Sequence, residues 1–318
     1  MTNHIYNKAG STDVTPPSAI AVGDTLTFNI TNTNVDTKYR GTVLTYTFPF
    51  DCKIKMEVAG ARGGQGNKAT QNETGSGAVV TGTRECKEGE TLLMLVGQAG
   101  TDIMGSASDG AGGAGGGGTF VTLKVDTEGD LYTGDGVGKG WRVKPLIVSA
   151  GGAGSVDVGY IGTKPAVHGS GQSRNSMEYK STVCNGGGYN KWSAETPSRN
   201  GSAFLLGGFG ATNTTQSRGQ LSVAGFGGGG SFADDYRGGA GGYWGGLYVD
   251  KIAPESGMEA SSSVATEMSD ITRKDGANYK EGYIKFTFLE ISEPEPPEPP
   301  KPTGEVYAKM DDVWVQVI

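Results

Sequence analysis

Glycine in this chain is gathered into tracts rather than scattered. After an alternating strand comes Ala59–Gly60–Ala61–Arg62–Gly63–Gly64, and further tracts run over Gly110 to Gly118, Gly151–Gly152, Gly186 to Gly188, Gly227 to Gly230 and Gly238 to Gly246. Glycine buries no side chain and loses the most backbone freedom on ordering. Such tracts have two physical outcomes. They stay disordered as low-complexity linker, or backbones approach so closely that only hydrogen fits between them and amides bond neighbouring carbonyls directly. Each tract is too long for a hairpin turn, and as loops they would be unusually long for a compact domain. Buried amides must pair, and extended glycine segments can bond sideways to several neighbours. Aromatics within the tracts (Phe209, Phe226, Phe232, Tyr243, Trp244) also weigh against a flexible linker. The close-approach solution is the one expected.

The rest of the chain reads as short strands. Leu26, Phe28 and Ile30 alternate with Thr25, Thr27 and Asn29; Leu44, Tyr46 and Phe48 repeat the pattern, as do Ile54, Met56 and Val58 against Lys53, Lys55 and Glu57. Period-two alternation marks half-buried strands. Pro49 sets a turn between the second and third of these. Further strands are predicted at Ala78–Thr83, Thr91–Val96, Thr119–Val125, Pro145–Ser149 and Tyr283–Leu289. No segment sustains a 3.6-residue period with caps, so helices longer than a turn or two are not expected. The fold class predicted is all-β, a sandwich of short strands with glycine-rich punctuation.

Composition narrows the partners. The 318 residues hold 56 glycines and 13 prolines, with 35% apolar residues, enough for a core. A net charge of −7 leaves no phosphate-neutralising patch, so nucleic acid is not an expected partner. Met1 to Gly10 lacks the basic start and apolar stretch of a secretory leader. The longest apolar run, Leu92 to Val96, is too short to cross a bilayer. Cys52, Cys86 and Cys184 are an odd set without metal-ligand spacing. Thiols made in a reducing cytoplasm are the plain reading, with a Cys52–Cys86 bridge left open because both lie at strand ends.

Four segments are expected: an N-terminal arm with one strand (1–38), a glycine-rich sandwich (39–290), a linker (291–303) and a docking tail (304–318). Ser292 to Pro302, SEPEPPEPPKP, should be a stiff polyproline-II spacer. Val306–Met310 and Val313–Val317 flank Asp311–Asp312 as a hairpin would. A lone two-stranded hairpin is marginal in water. Tyr307 and Trp314 are therefore candidate docking residues, towards a partner or towards copies of the chain in a homo-oligomer; a frayed tail is the alternative.

Motifs for chemistry are weak. Gly110, Gly112 and Gly115 satisfy a dinucleotide-site spacing, but Gly118–Thr119–Phe120–Val121 runs into a strand where that motif needs a helix. Gly138–Lys139–Gly140 lacks the Ser/Thr of a phosphate loop. His4 and His168 lie apart, with no nucleophile arrangement beside them. Asp234–Asp235 and Asp250 read as solvated loops rather than a cation site. No enzymatic activity, cofactor or metal is expected. The stronger signal is aromatic: Tyr189, Trp192, Tyr236, Tyr243, Trp244 and Tyr248 sit in or beside glycine segments, where rigid platforms at loop tips suit sugars or protein epitopes. The alternative is that they cap and edge the glycine lattice.

One resemblance gathers these observations. Residues 39–66, YRGTVLTYTFPFDCKIKMEVAGARGGQG, resemble the opening of the glycine-rich domain family. Gly77 to Gly82, Lys87 to Leu92, Leu95 to Gly100, Gly116 to Phe120, Pro145 to Gly152 and Glu281 to Phe286 are similar to its later blocks, so the likeness spans about 39–290. It implies a jelly-roll-like β-sandwich bearing polyglycine-II-type segments. The family occurs in ectodomains of anaplastic lymphoma and leukocyte receptor tyrosine kinases and in tailed-phage virion proteins. Without a leader, disulfide set, membrane segment or kinase, the phage setting fits better. Val306–Tyr307–Ala308–Lys309 and Val313–Trp314–Val315 are also similar to an ending seen on phage structural proteins, with Asp311–Asp312 in place of the usual turn glycine. Cys52 and Cys86 depart from the family pattern, as does the insertion Thr127 to Trp141, which should spread the flanking strands. The resemblance implies a non-enzymatic structural or receptor-binding protein of a phage tail fibre, baseplate or head fibre, made in the host cytoplasm and released by lysis. Its partners would be other virion proteins and a host-surface glycan or protein. A purely architectural capsid-decoration protein is the alternative.

Overall fold

The computed structural model describes residues 1–6, 13–17, 19–29, 39–66, 74–102, 112–134, 137–155, 186–190, 200–213, 222–231, 238–246, 260–292, 307–310 and 313–316, the last two stretches as backbone alone. Two sheets face each other. The first has the order β1 (Asn3–Tyr6), β3 (Thr25–Phe28), β15 (Tyr283–Ile291), β5 (Cys52–Ala59), β6 (Gly77–Cys86), β14 (Ser269–Asn278). The second runs β13 (Ser263–Val264), β10 (Arg142–Ser149), β8 (Thr119–Val125), β7 (Thr91–Leu95), β4 (Val43–Thr47), β2 (Asp13–Val14), with β9 (Asp130–Leu131) beside β10. No α-helix occurs among the described residues. The chain is an all-β sandwich.

Alternation decides what each sheet buries. Leu26 and Phe28, Ile54, Met56 and Val58, and Ile284, Phe286 and Phe288 turn inward from the first sheet. They meet Leu44, Tyr46, Leu92, Met94, Val121 and Ile147 from the second. The intervening residues of the first sheet, such as Lys53, Lys55 and Lys285, face outward. The second sheet has no solvated face here: its alternate residues Val43, Leu93, Leu95, Phe120, Val143 and Val148 join a second core with Tyr132, Tyr189, Phe204 and Phe226. This is why β7, Thr91–Leu95, reads as a continuous apolar run instead of alternating.

Several sequence expectations change in detail. The turn at Pro49 carries the chain from one sheet to the other, since β4 pairs β7 while β5 pairs β6 and β15. The N-terminal arm contributes three strands, not one: β1 lies parallel to β3, β2 lies parallel to β4, and β3 pairs β15. The insertion at 127–141 does not spread its neighbours, because Arg142 pairs Val125 and the antiparallel ladder continues to Ser149–Thr119. Pro145 is tolerated inside that ladder at a register shift between Pro145 and Ile147, where a missing amide costs no bond. The hairpin backbone pairs β16 (Tyr307–Met310) with β17 (Val313–Gln316), Met310 opposite Val313. Residues 293–306 lie outside the described residues.

The glycine tracts leave and enter at one end of the sandwich, where β5, β7 and β10 finish and β6, β8 and β15 start. There the bonding changes character. Segment 113–118 bonds to 61–64, 98, 152–155, 225–230 and 238–241, where a strand in a sheet can serve only two neighbours. All of these neighbours except Gln98 recur three residues on. Gly113 N–H donates to the Ser155 carbonyl (2.7 Å) and Gly116 N–H to Gly152 (2.9 Å). Gly115 donates to Gly230 (2.9 Å) and Gly118 to Gly227 (3.0 Å), while Gly64 and Ala61 donate to Ala114 (2.7 Å) and Gly117 (3.0 Å). On another side Gly238 and Gly241 donate to Gly113 (3.2 Å) and Gly116 (2.9 Å). Segment 150–155 follows the same rule towards 238–241, 61–64 and 75–78. A recurrence of three is that of an extended helix with three residues per turn, and it points amides in more directions than a pleated strand can.

Such a lattice leaves no room for side chains between rods. A Cβ on Gly154 would lie 1.8 Å from the Gly113 carbonyl oxygen, and one on Gly225 1.7 Å from that of Gln98. Alanine methyls gather in two places: Ala78, Ala150, Ala240 and Ala260 form one cluster, and Ala114, Ala211 and Ala224 another.

Candidate functional site

Described residues between β10 and β13 pack on the outer face of the second sheet, and several of their aromatics stack into a column. Phe120 of β8 lies against Phe204 (ring centroids 4.8 Å apart, planes 16°), which opens a one-turn 3-10 helix, Phe204–Leu206. Tyr189 stacks next (5.8 Å, 13°), then Tyr243 on Tyr189 (5.7 Å, 14°), and Trp244 stands edge-on to Tyr243 (6.1 Å, 90°). Tyr132 leans on Phe204 from the side (5.5 Å). The column runs from full burial at Phe120 and Phe204 to partial exposure at Tyr243 and Trp244.

The outer pair is held by main-chain bonds. Tyr243 N–H donates to the Ser261 carbonyl (2.7 Å), Ser261 N–H to the Trp244 carbonyl (3.0 Å), and Tyr189 N–H to the Tyr243 carbonyl (2.9 Å). Trp244 N–H adds a bond to Ser261 Oγ (3.3 Å). Tyr243 and Trp244 thus stand at right angles, half-buried, with their main chains tied to Ser261.

Of the residues singled out from sequence, Tyr243 and Trp244 come together at the end of the column. Tyr189 does not serve as a platform. It is 1% exposed, both its ring faces are covered by Phe204 and Tyr243, and its hydroxyl donates to the Val143 carbonyl (3.3 Å). Burial pushes its phenol well above the usual range. The physical reason is that the second sheet's outer face and Phe204 supply a side-chain core in which Tyr189 packs. Trp192, Tyr236 and Tyr248 lie outside the described residues, as do Asp234, Asp235, Asp250 and His168. Tyr307 and Trp314 sit in the hairpin ladder, opposite Gln316 and Lys309 respectively. Sequence reasoning passed over Phe204, the base of the column; its signal was the apolar run Phe204–Leu205–Leu206 inside a glycine-dominated region.

Among the described residues no three His, Cys, Asp or Glu side chains gather as a metal site would require. None of the described helices is long and apolar enough to cross a membrane. At the lattice edge Arg62 grips Asp102 through both guanidinium nitrogens (2.7 and 2.8 Å) and also donates to the Gly63 carbonyl, while Asp102 accepts the Gln65 amide (2.8 Å). That cluster ties segment 62–65 to 102. No protein-family model and no curated protein matches this chain.

Proposed function

We propose that this chain is a non-enzymatic structural and receptor-binding protein of a tailed-bacteriophage virion, carried on a tail fibre, baseplate or head fibre, and that its glycine-rich end recognises the host surface. The observation that carries the reading is the pairing of a side-chain-free lattice with a fixed aromatic terminus at Tyr243 and Trp244. In this reading the glycine segments are polyglycine-II-type rods, and loops between them vary without disturbing the rods. The sandwich is of the jelly-roll-like kind that the family resemblance implies. The terminal hairpin, held off by the Pro/Glu spacer, docks on virion proteins or on copies of the chain. The ligand is a host-surface glycan or protein, bound through ring faces.

The test is a double variant, Tyr243→Ala with Trp244→Ala, made in the full chain and assembled into particles. Host adsorption falls at least tenfold while the circular dichroism spectrum stays that of the parent. A folded double variant that adsorbs normally removes these residues from the site. Antibody label on capsids and not on tails would move the protein to an architectural role.

A further inference from the structure

We propose that Cys52 and Cys86 are an oxidisable dithiol that closes into a cross-strand disulfide, pinning β5 to β6, when the folded protein meets a peroxide. The inference is independent of the virion reading. Cys52, the first residue of β5, stands directly opposite Cys86, the last of β6. Directly opposed residues of an antiparallel pair have Cα atoms about 4.5–5.5 Å apart, inside the range a disulfide spans. Both thiols are free, both turn into the same core, and they share a side-chain hydrogen bond. The strand ends that carry them are already clamped. Asp51, just before Cys52, meets Lys87, just after Cys86, at 2.8 Å and accepts the Glu88 amide at 2.8 Å. Arg84 meets Glu90 across the following turn at 3.1 Å. Strand pairing thus holds the two cysteines at a spacing of the kind disulfides bridge.

The two sulfurs have different parts. The Cys86 thiol donates to Cys52, which holds Cys52 below the usual thiol range, and the same bond with burial pushes Cys86 up. Cys52 is also the more accessible, 6% exposed against 1%. The Cys52 thiolate attacks one peroxide oxygen, the O–O bond breaks, and the departing oxygen takes a proton to leave as water, with Cys52 as a sulfenic acid. The Cys86 sulfur then attacks Cys52 Sγ and gives up its proton. The S–O bond breaks and a second water leaves. Two thiols and one hydrogen peroxide become one disulfide and two waters, with both electrons passed to oxygen.

The test uses the full chain in a Cys184→Ser background, so that the third thiol cannot intervene. The protein is treated with hydrogen peroxide and compared with a Cys52→Ser version by intact mass and by a non-reduced peptide map. Expected are a loss of two hydrogens, a single peptide joining Cys52 to Cys86, and a melting midpoint raised by about 6 °C through loop closure. The Cys52→Ser protein should show neither bridge nor shift. The proposal is overturned if the folded parent keeps both hydrogens under treatment that bridges the urea-unfolded chain. A bridged protein that melts no higher than the reduced one overturns the pinning.

Discussion

Substituting Gly117 by alanine tests whether backbone, and not side chain, fills the interior of the lattice. The new Cβ would sit 1.7 Å from the Phe226 carbonyl oxygen, against a closest ordinary approach of 3.0 Å. The rods must part by more than an ångström. Gly117 N–H to the Gln98 carbonyl (2.9 Å) and Ala61 N–H to the Gly117 carbonyl (3.0 Å) cannot survive such a shift together, and Gln98 N–H to the Phe226 carbonyl (2.9 Å) lies on the same contact. Each buried group left unpaired costs about 1–3 kcal/mol. Two such losses give about 4 kcal/mol, less about 0.4–1 kcal/mol because alanine has less unfolded-chain freedom to lose. The net expectation is about 3 kcal/mol. Gly140→Ala is the comparison: nothing lies within 4 Å of its added Cβ, and only its φ of +83° is unfavourable, at about 1–2 kcal/mol. Urea unfolding followed by far-ultraviolet circular dichroism measures both. Gly117→Ala should also melt lower by about 4–5 °C. If it proves no less stable than Gly140→Ala, the close-packed backbone interior is wrong.

Other outcomes follow from the same geometry. Phe204→Ala removes the ring between Phe120 and Tyr189 and should cost about 3–5 kcal/mol in urea unfolding; a loss under about 1 kcal/mol would mean the column does not join sheet to lattice. Amides of Gly113, Gly116 and Gly152 donate to buried carbonyls, so their hydrogen exchange should be strongly protected. Exchange at free-peptide rates would contradict an ordered lattice. The Asp24 carboxylate accepts the Thr2 and Ala21 amides, which lower its pKa in the folded chain. Its stabilisation is therefore complete above the unfolded value of about 3.9 and is lost as pH falls through the lower folded value. The stability gap between parent and Asp24→Asn should shrink in acid below about pH 4; a gap that widens there reverses the sign and the reasoning.

Most of the sandwich was legible because its inner faces follow period two. Leu26/Phe28, Ile54/Met56/Val58 and Tyr283–Leu289 all identified strands within a few residues of their observed ends. β14 was not legible. Its sequence SDITRKDGAN is exposed along almost its whole length at the edge of the first sheet, so only β6 beside it, and no buried face, makes it a strand. The parallel pairings of β1 and β2 depend on where distant strands lie and leave no local trace. Glycine tracts announce close approach but not partners, since one glycine looks like another. Seven alanines break that uniformity, their methyls meeting in the clusters Ala78–Ala150–Ala240–Ala260 and Ala114–Ala211–Ala224. Burial of Tyr189 was hidden because the rings that cover it, Phe204 and Tyr243, lie 15 or more residues away in sequence and meet it only in the folded chain.

The three-fold recurrence of the lattice bonds sets a grammar for length changes. Deleting one residue from a pleated strand swaps its two faces. In the proposed polyglycine-II-type rods, deleting one would turn everything downstream by a third of a revolution and aim each N–H at the wrong neighbour. Whole triplets restore the aim. Natural or engineered variants of these segments should therefore differ in length by multiples of three inside the rods, with free variation confined to the bends that join them.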